Sequence, residues 1–207
     1  MNICTLSRAV LVCLFLPAFC LAACSGEKGP GAYLDEAAGL YRQEPEDAAA
    51  IVAVFTRGLE AHPDNIPLLQ SRAGFLCSHG MLPQCRADVD RLIQLKPELI
   101  EVRMMRCMLD EFEKADPEQY DACYRDIVGR IAALPPPADD EAPEHKLARK
   151  FNYVFALLMA GHPDAQTELE DLLEQARALQ QEEFYIDLLR NFDRQRVLKD
   201  IFGQKSE

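Results

Sequence analysis

The residues best able to do chemistry in this chain are its cysteines, eight among 207 residues. A thiolate can attack a carbonyl, hold a metal, exchange with a disulfide or take an acyl chain, and its surroundings decide which. Cys77, Cys85, Cys107 and Cys123 lie in the body of the chain, while Cys24 closes an apolar N-terminal segment. His62, His79, His145 and His162 all fall in expected turns or loops, and none has a nucleophile as companion. Cys77, His79 and Cys85 supply three zinc-type ligands, but a structural zinc needs four and no fourth is evident. There is no Gly-rich phosphate loop, no nucleophile elbow and no His-Glu-x-x-His. With 34 acidic residues, chance pairs of carboxylates on helix faces carry no catalytic assignment. The run Asp139-Asp140-Glu141 lacks the alternating ligands and glycine turn of a calcium loop. The sequence therefore leads to the expectation of no enzyme, no cofactor, no metal and no small-molecule substrate.

Cys24 has a different context. One basic residue, Arg8, precedes an apolar run from Ala9 to Leu21, and the small residues Ala22 and Ala23 follow. That is the layout of a secretory signal peptide. The run is too short for a membrane span of about 20 residues, and Pro17 interrupts it. Leu21-Ala22-Ala23-Cys24, in that order after such a run, resembles the lipobox of bacterial lipoproteins. The resemblance implies cleavage of residues 1–23 and lipidation of Cys24 on its sulfur and new amino terminus. An ordinary signal peptide or a short anchor is the plainer alternative. Enteric lipoproteins with Asp after the cysteine usually stay in the inner membrane. Ser25 at that place implies the outer membrane, facing the periplasm. Residues 24–32 read as the lipidated cysteine and a flexible tether.

The net charge is −12, and removing residues 1–23 takes away only Arg8, leaving −13. Such a surface disfavours nucleic acid, whose phosphates demand Lys and Arg. It equally disfavours lying flat on anionic lipid, so acyl chains must hold the protein to the membrane. A basic protein partner would be steered toward it, although acidity also serves plain solubility.

From Tyr33 onward the apolar pattern is helical. Tyr33, Leu34, Ala37, Ala38 and Tyr41 mark one stripe, and Ile51, Val52, Phe55 and Leu59 a second. Leu68, Leu69, Ala73 and Leu76 form a third, and Cys85, Val89, Leu92 and Ile93 a fourth. Met105, Met108, Leu109 and Phe112 make a fifth, and Tyr120, Cys123, Tyr124, Ile127 and Ile131 a sixth. Each is one face of an amphipathic helix. Turn and cap residues separate them: Pro45, His62-Pro63-Asp64-Asn65, Gly80 with Pro83, and Asp116-Pro117-Glu118-Gln119. The Pro-rich acidic stretch 134–145 reads as an exposed linker, because its prolines lack amide donors. Helices resume over 146–207, with a last helix carrying Phe184, Leu188, Leu189, Phe192 and Ile201.

Pro63 and Pro97 stand 34 residues apart, each closing a helix in similar surroundings. A unit counted from Ile66 has Leu69 and Ala73 inside its first helix, Gly80 at the turn, Cys85 opening the second helix and Pro97 at the close. In this it resembles the tetratricopeptide repeat family, whose unit is a 34-residue helix hairpin. Arg72 departs from the family by occupying a leucine place, and Arg106 lies one repeat further on. The expected fold is all-α: tetratricopeptide-like antiparallel helix hairpins stacked as a short solenoid over 33–133, with the C-terminal helices packed on it. An irregular helical bundle is the alternative.

The cysteines carry the same period. Cys77 and Cys85 are centred on position 81, and Cys107 and Cys123 on position 115, again 34 residues apart. Each pair straddles the turn of one hairpin. In the oxidising compartment that the lipobox implies, an even set of cysteines favours disulfides. Local bridges Cys77–Cys85 and Cys107–Cys123 would staple a hairpin each; cross-repeat pairing and reduced core thiols remain the rivals.

Tetratricopeptide arrays generally bind peptides or protein segments along their first helices. Carried over by position, that face includes Gln70, Gly74, Met104 and Met108, the methionines serving equally as core filler, with Arg72 and Arg106 as polar residues that pair with acids or meet a ligand. The resemblance implies a protein-binding scaffold or assembly factor for an envelope complex such as a pilus, secretion system or cell-wall machinery. An immunity lipoprotein that occludes a toxin delivered to the periplasm suits the acidity, small size and staples.

Overall fold

The computed structural model describes residues 28–180, 189 and 192–203, and the described residues form helices and turns without a strand. Eight helices follow in order: α1 Pro30–Gln43, α2 Ala48–Ala61, α3 Ile66–Ser78, α4 Leu82–Leu95, α5 Ile100–Phe112, α6 Pro117–Ala132, α7 Pro143–Met159 and α8 Ala165–Ala178. They pair as antiparallel hairpins α1/α2, α3/α4, α5/α6 and α7/α8, and each hairpin packs on the next through α2/α3, α4/α5 and α6/α7. The result is a short solenoid of helix hairpins. A final helix, α9 Arg194–Phe202, lies across α3 and α5.

The helix boundaries follow from local chemistry. Asp47, Asn65, Asp116 and Asp193 accept hydrogen bonds from the backbone N–H of Ala50, Leu68, Glu118 and Arg196, so each satisfies a donor that its helix leaves open. Proline opens α1, α3, α4, α6 and α7, where no amide donor is needed. Gly80 and Gly161 end α3 and α7 with φ of +68° and +62°. At the first, Gly80 N–H reaches Cys77 O at 3.1 Å and Met81 N–H reaches Leu76 O at 2.9 Å. Lys114, one 34-residue period after Gly80, ends α5 with the same bonding but with φ of +61° on a side chain that resists it.

Three boundaries differ from the expectation. Helix α1 begins at Pro30, so 30–32 belong to the folded body rather than to the tether. Helix α7 begins at Pro143, inside the expected linker 134–145, because Pro is tolerated in a first helical turn. The last helix is not continuous through Phe192 and Ile201: Phe192 and Asp193 are non-helical, and Asp193 caps α9. Phe184 and Leu188 lie outside the described residues; Leu189 is helical and buried.

One apolar core runs the length of the stack, from Ile51 and Leu68 through Leu92, Leu109 and Ile127 to Leu147, Met159 and Leu172. Cys77, Cys85 and Cys107 sit in it and Cys123 packs against it; the pairs are joined, Cys77 to Cys85 with Cα atoms 5.2 Å apart and Cys107 to Cys123 at 5.8 Å. Each bridge ties the two helices of one hairpin.

Candidate functional site

The first helices of the first two hairpins leave a groove between them. Leu34, Ala38 and Tyr41 of α1 face Phe75 and His79 on the α3 side, with Ile51 and Phe55 of α2 at the floor, enclosing about 500 Å³. The stripe on α1 is only half covered: Ala37 is 2 % exposed, whereas Tyr41 is 52 % exposed. The rings are ordered. Phe75 meets Tyr41 edge-on at 6.3 Å, leans on Phe55 at 6.2 Å and stacks on His79 at 3.9 Å. His79 Nδ1 lies 2.8 Å from Phe75 O and 3.1 Å from Ser78 Oγ, which fixes the imidazole against the helix end. Asp35 is the acidic residue of the lining. Glu36, on the adjoining turn, pairs with Lys28 and with Arg57 at 2.7 Å; those partners, Lys28 first, hold its carboxyl below the usual range. The groove can bury aromatic and aliphatic side chains and offers hydrogen-bonding edges at Ser71, Ser78 and His79.

On the neighbouring part of the same face, α9 is docked. Val197, Leu198 and Phe202 are buried at 3 % exposure or less, and Phe202 rests on Phe112 at 5.2 Å. Beneath the N-terminal end of α9 is Glu111, a carboxylate only 7 % exposed. Arg194 Nε donates to it at 2.8 Å, Gln195 Nε2 at 3.2 Å and the Tyr124 hydroxyl at 2.9 Å. Arg194 Nη2 also reaches Asp121 at 2.9 Å, and its guanidinium lies 4.8 Å from the Tyr124 ring centre and 5.2 Å from that of Tyr120. Burial, and then the Glu111 carboxylate, push the Tyr124 hydroxyl far above its ordinary value. Burial works against the Arg194 charge, but Asp121 and Glu111 outweigh it and raise its pKa.

The residues expected to line a binding face take varied places. Gln70 is half-buried beside a shallow groove with Ala73, Glu101 and Met105. Gly74 is exposed, with open space where a Cβ would sit. Met104 and Met108 are buried in the core at 6 % and 4 % exposure. Arg72 is bonded to Asp88, with Thr56 at 3.4 Å. Arg106 sits 3.4 Å from Asp90 and 3.5 Å from Asp110. The two arginines differ because the position one period after Asp88 is Ala122, so Arg106 turns back to α4. Cys24 and its lipobox lie outside the described residues.

Sequence does not single out Glu111 or Arg194, and it marks Tyr124 only as part of an apolar stripe. Glu111 carries a signal: it lies four residues after Cys107 and three after Met108, on the buried face of α5. Arg194 carries none, standing 83 residues from its partner. His79 could have been found from its place four residues after Phe75.

Among the described residues no helix is long and apolar enough to cross a membrane, and no group of three or more His, Cys, Asp or Glu is placed to hold a metal. Comparison with protein-family models, with curated proteins and with solved structures gives no match.

Proposed function

We propose that this chain is a lipid-anchored, periplasm-facing outer-membrane protein that binds another protein through the face formed by α1 and α3. The groove of Tyr41, Phe75 and His79 carries the reading. A half-exposed tyrosine and an ordered ring stack are anchor-type residues, able to bury a partner's side chain at small entropic cost. The anchor rests on Leu21-Ala22-Ala23-Cys24, and Ser25 supports the outer membrane. In this reading the protein scaffolds an envelope complex such as a pilus, secretion system or cell-wall machinery. The acidic surface and the two stapled hairpins favour a second role, an immunity lipoprotein that occludes a periplasm-delivered toxin.

A photo-crosslinking residue at position 41 of the full chain, expressed in its native cells, tests both. Several envelope subunits joined at that position support the scaffold. One stoichiometric toxin-like protein supports immunity. Crosslinks that survive Phe75→Asp, or none at all, remove the groove as the binding site. In parallel, Cys24→Ala should abolish acyl labelling and release the protein from membranes; continued labelling would overturn the lipobox reading.

A further inference from the structure

We infer that the seat of α9 on α3 and α5 is a receptor for an arginine-bearing amphipathic helix, that α9 is its resident occupant, and that a partner's helix of the same chemistry takes the seat by displacing it. The inference rests on the protein-binding reading for its biological use, but the seat itself is argued from geometry.

The seat has two parts. One is apolar and takes Val197, Leu198 and Phe202, the last against Phe112. The other is a charge socket of Glu111 and Asp121, walled by the rings of Tyr120 and Tyr124. The socket sets the specificity. With the helix lifted off, Glu111 would keep only the Tyr124 hydroxyl among the donors described above, and water would meet the rest of the carboxylate. An occupant that covers this carboxylate displaces that water and must bring donors of its own, because burying the charge unpaired is costly. A planar guanidinium spanning two carboxylates between aromatic rings meets that demand; a point-like ammonium meets it poorly. The occupant is thus defined as a helix with Arg three residues ahead of two adjacent apolar side chains and an aromatic a turn further on.

The geometry also favours exchange. Helix α9 has nine residues, below the length at which a helix holds together alone, so its order depends on the seat. Its other face is polar, with Lys199 and Asp200 exposed. The open α1/α3 groove ends at Ser78 and His79, next to Gly80, which borders α9 together with Leu82. A partner seated in the open groove would therefore abut α9.

The test uses the full chain with Leu198→Asp, which unseats α9 in place, and a fluorescein-labelled peptide of residues 192–203 as probe. Binding should be saturable and at least tenfold tighter to Leu198→Asp than to the wild type. A peptide carrying Arg194→Ala should bind at least tenfold more weakly. Equal binding to both proteins, or indifference to the arginine, would overturn the proposal. Should Leu198→Asp unfold the chain, hydrogen exchange on the wild type decides. Amides across α9 exchanging at least tenfold faster than those of α3 and α5 mark a separable helix; exchange at the same rate marks an integral part of the core and sinks the inference. These readouts involve no natural partner, so their failure leaves the α1/α3 groove and its crosslinking test untouched.

Discussion

Arg72 and Asp88 form a two-point pair, Nε to Oδ2 at 2.7 Å and Nη2 to Oδ1 at 2.6 Å, that ties α3 to α4 with Asp88 only 4 % exposed. Parallel N–H donors on one carboxylate are the strong form of this contact. Removing one partner leaves the other charge in the core, at a cost of about 3–5 kcal/mol for a buried pair, toward the low end here because Arg72 keeps partial solvent contact. Asp88→Ala should lower the urea midpoint strongly, whereas Arg72→Met with Asp88→Leu should recover much of the loss. A double variant as unstable as the single one would mean that packing, not the stranded charge, governs the site.

The disulfides close loops with separations of 8 and 16 residues. Chain entropy assigns them roughly 2.5 and 3 kcal/mol. Cys77→Ala with Cys85→Ala should cost about 2.5 kcal/mol plus a small packing loss, and Cys107→Ala with Cys123→Ala slightly more. Urea unfolding of the oxidised variants measures each, and non-reducing peptide mapping of the wild type should return the same two bridges. A double variant equal in stability to the wild type would remove the staple argument.

What could be read from sequence was whatever repeats locally. The apolar stripes gave the helices because a 3.6-residue period needs only neighbours along the chain. The spacing of Pro63 and Pro97, and of the cysteine centres, gave the hairpin unit. Position relative to other hairpins was not legible. Periodicity marked Tyr41 as apolar-face, but nothing local says that the face is left half uncovered. Repeat position puts Met104 and Met108 on the binding face and apolar character puts them equally in the core; the buried face of α5 takes them. The α9 seat was the least visible, since Glu111 and Arg194 are joined by tertiary docking that leaves no period.

Lys114 tests the repeat at the level of the backbone. It sits at φ +61°, at the turn position where Gly80 sits one unit earlier, and it is exposed. A left-handed conformation costs an L-residue about 1–2 kcal/mol, and glycine avoids that at some entropic expense in the unfolded chain. Lys114→Gly should therefore raise stability by about 0.5–1 kcal/mol with an unchanged denaturant slope. Gly80→Lys should lower it by at least as much. The same sign for both would show that the two turns are not equivalent.

Tyr124 gives a pH signature of the α9 socket. The chain has six tyrosines, and in the folded protein burial and the Glu111 carboxylate keep the Tyr124 proton in place far above the ordinary range. In the unfolded chain the same hydroxyl titrates near its usual value of about 10. Below that value both states hold the proton and this group makes no slope. Above it the unfolded chain releases a proton that the folded one keeps, so stability falls as pH rises. Absorbance at alkaline pH should show the Tyr124 hydroxyl ionising only together with unfolding. Tyr124→Phe should remove that step and flatten stability above pH of about 10, and should cost roughly 1–2 kcal/mol at neutral pH by taking one donor from Glu111. An alkaline unfolding curve that Tyr124→Phe leaves unchanged would mean that other groups control the loss and that the hydroxyl is not held as described.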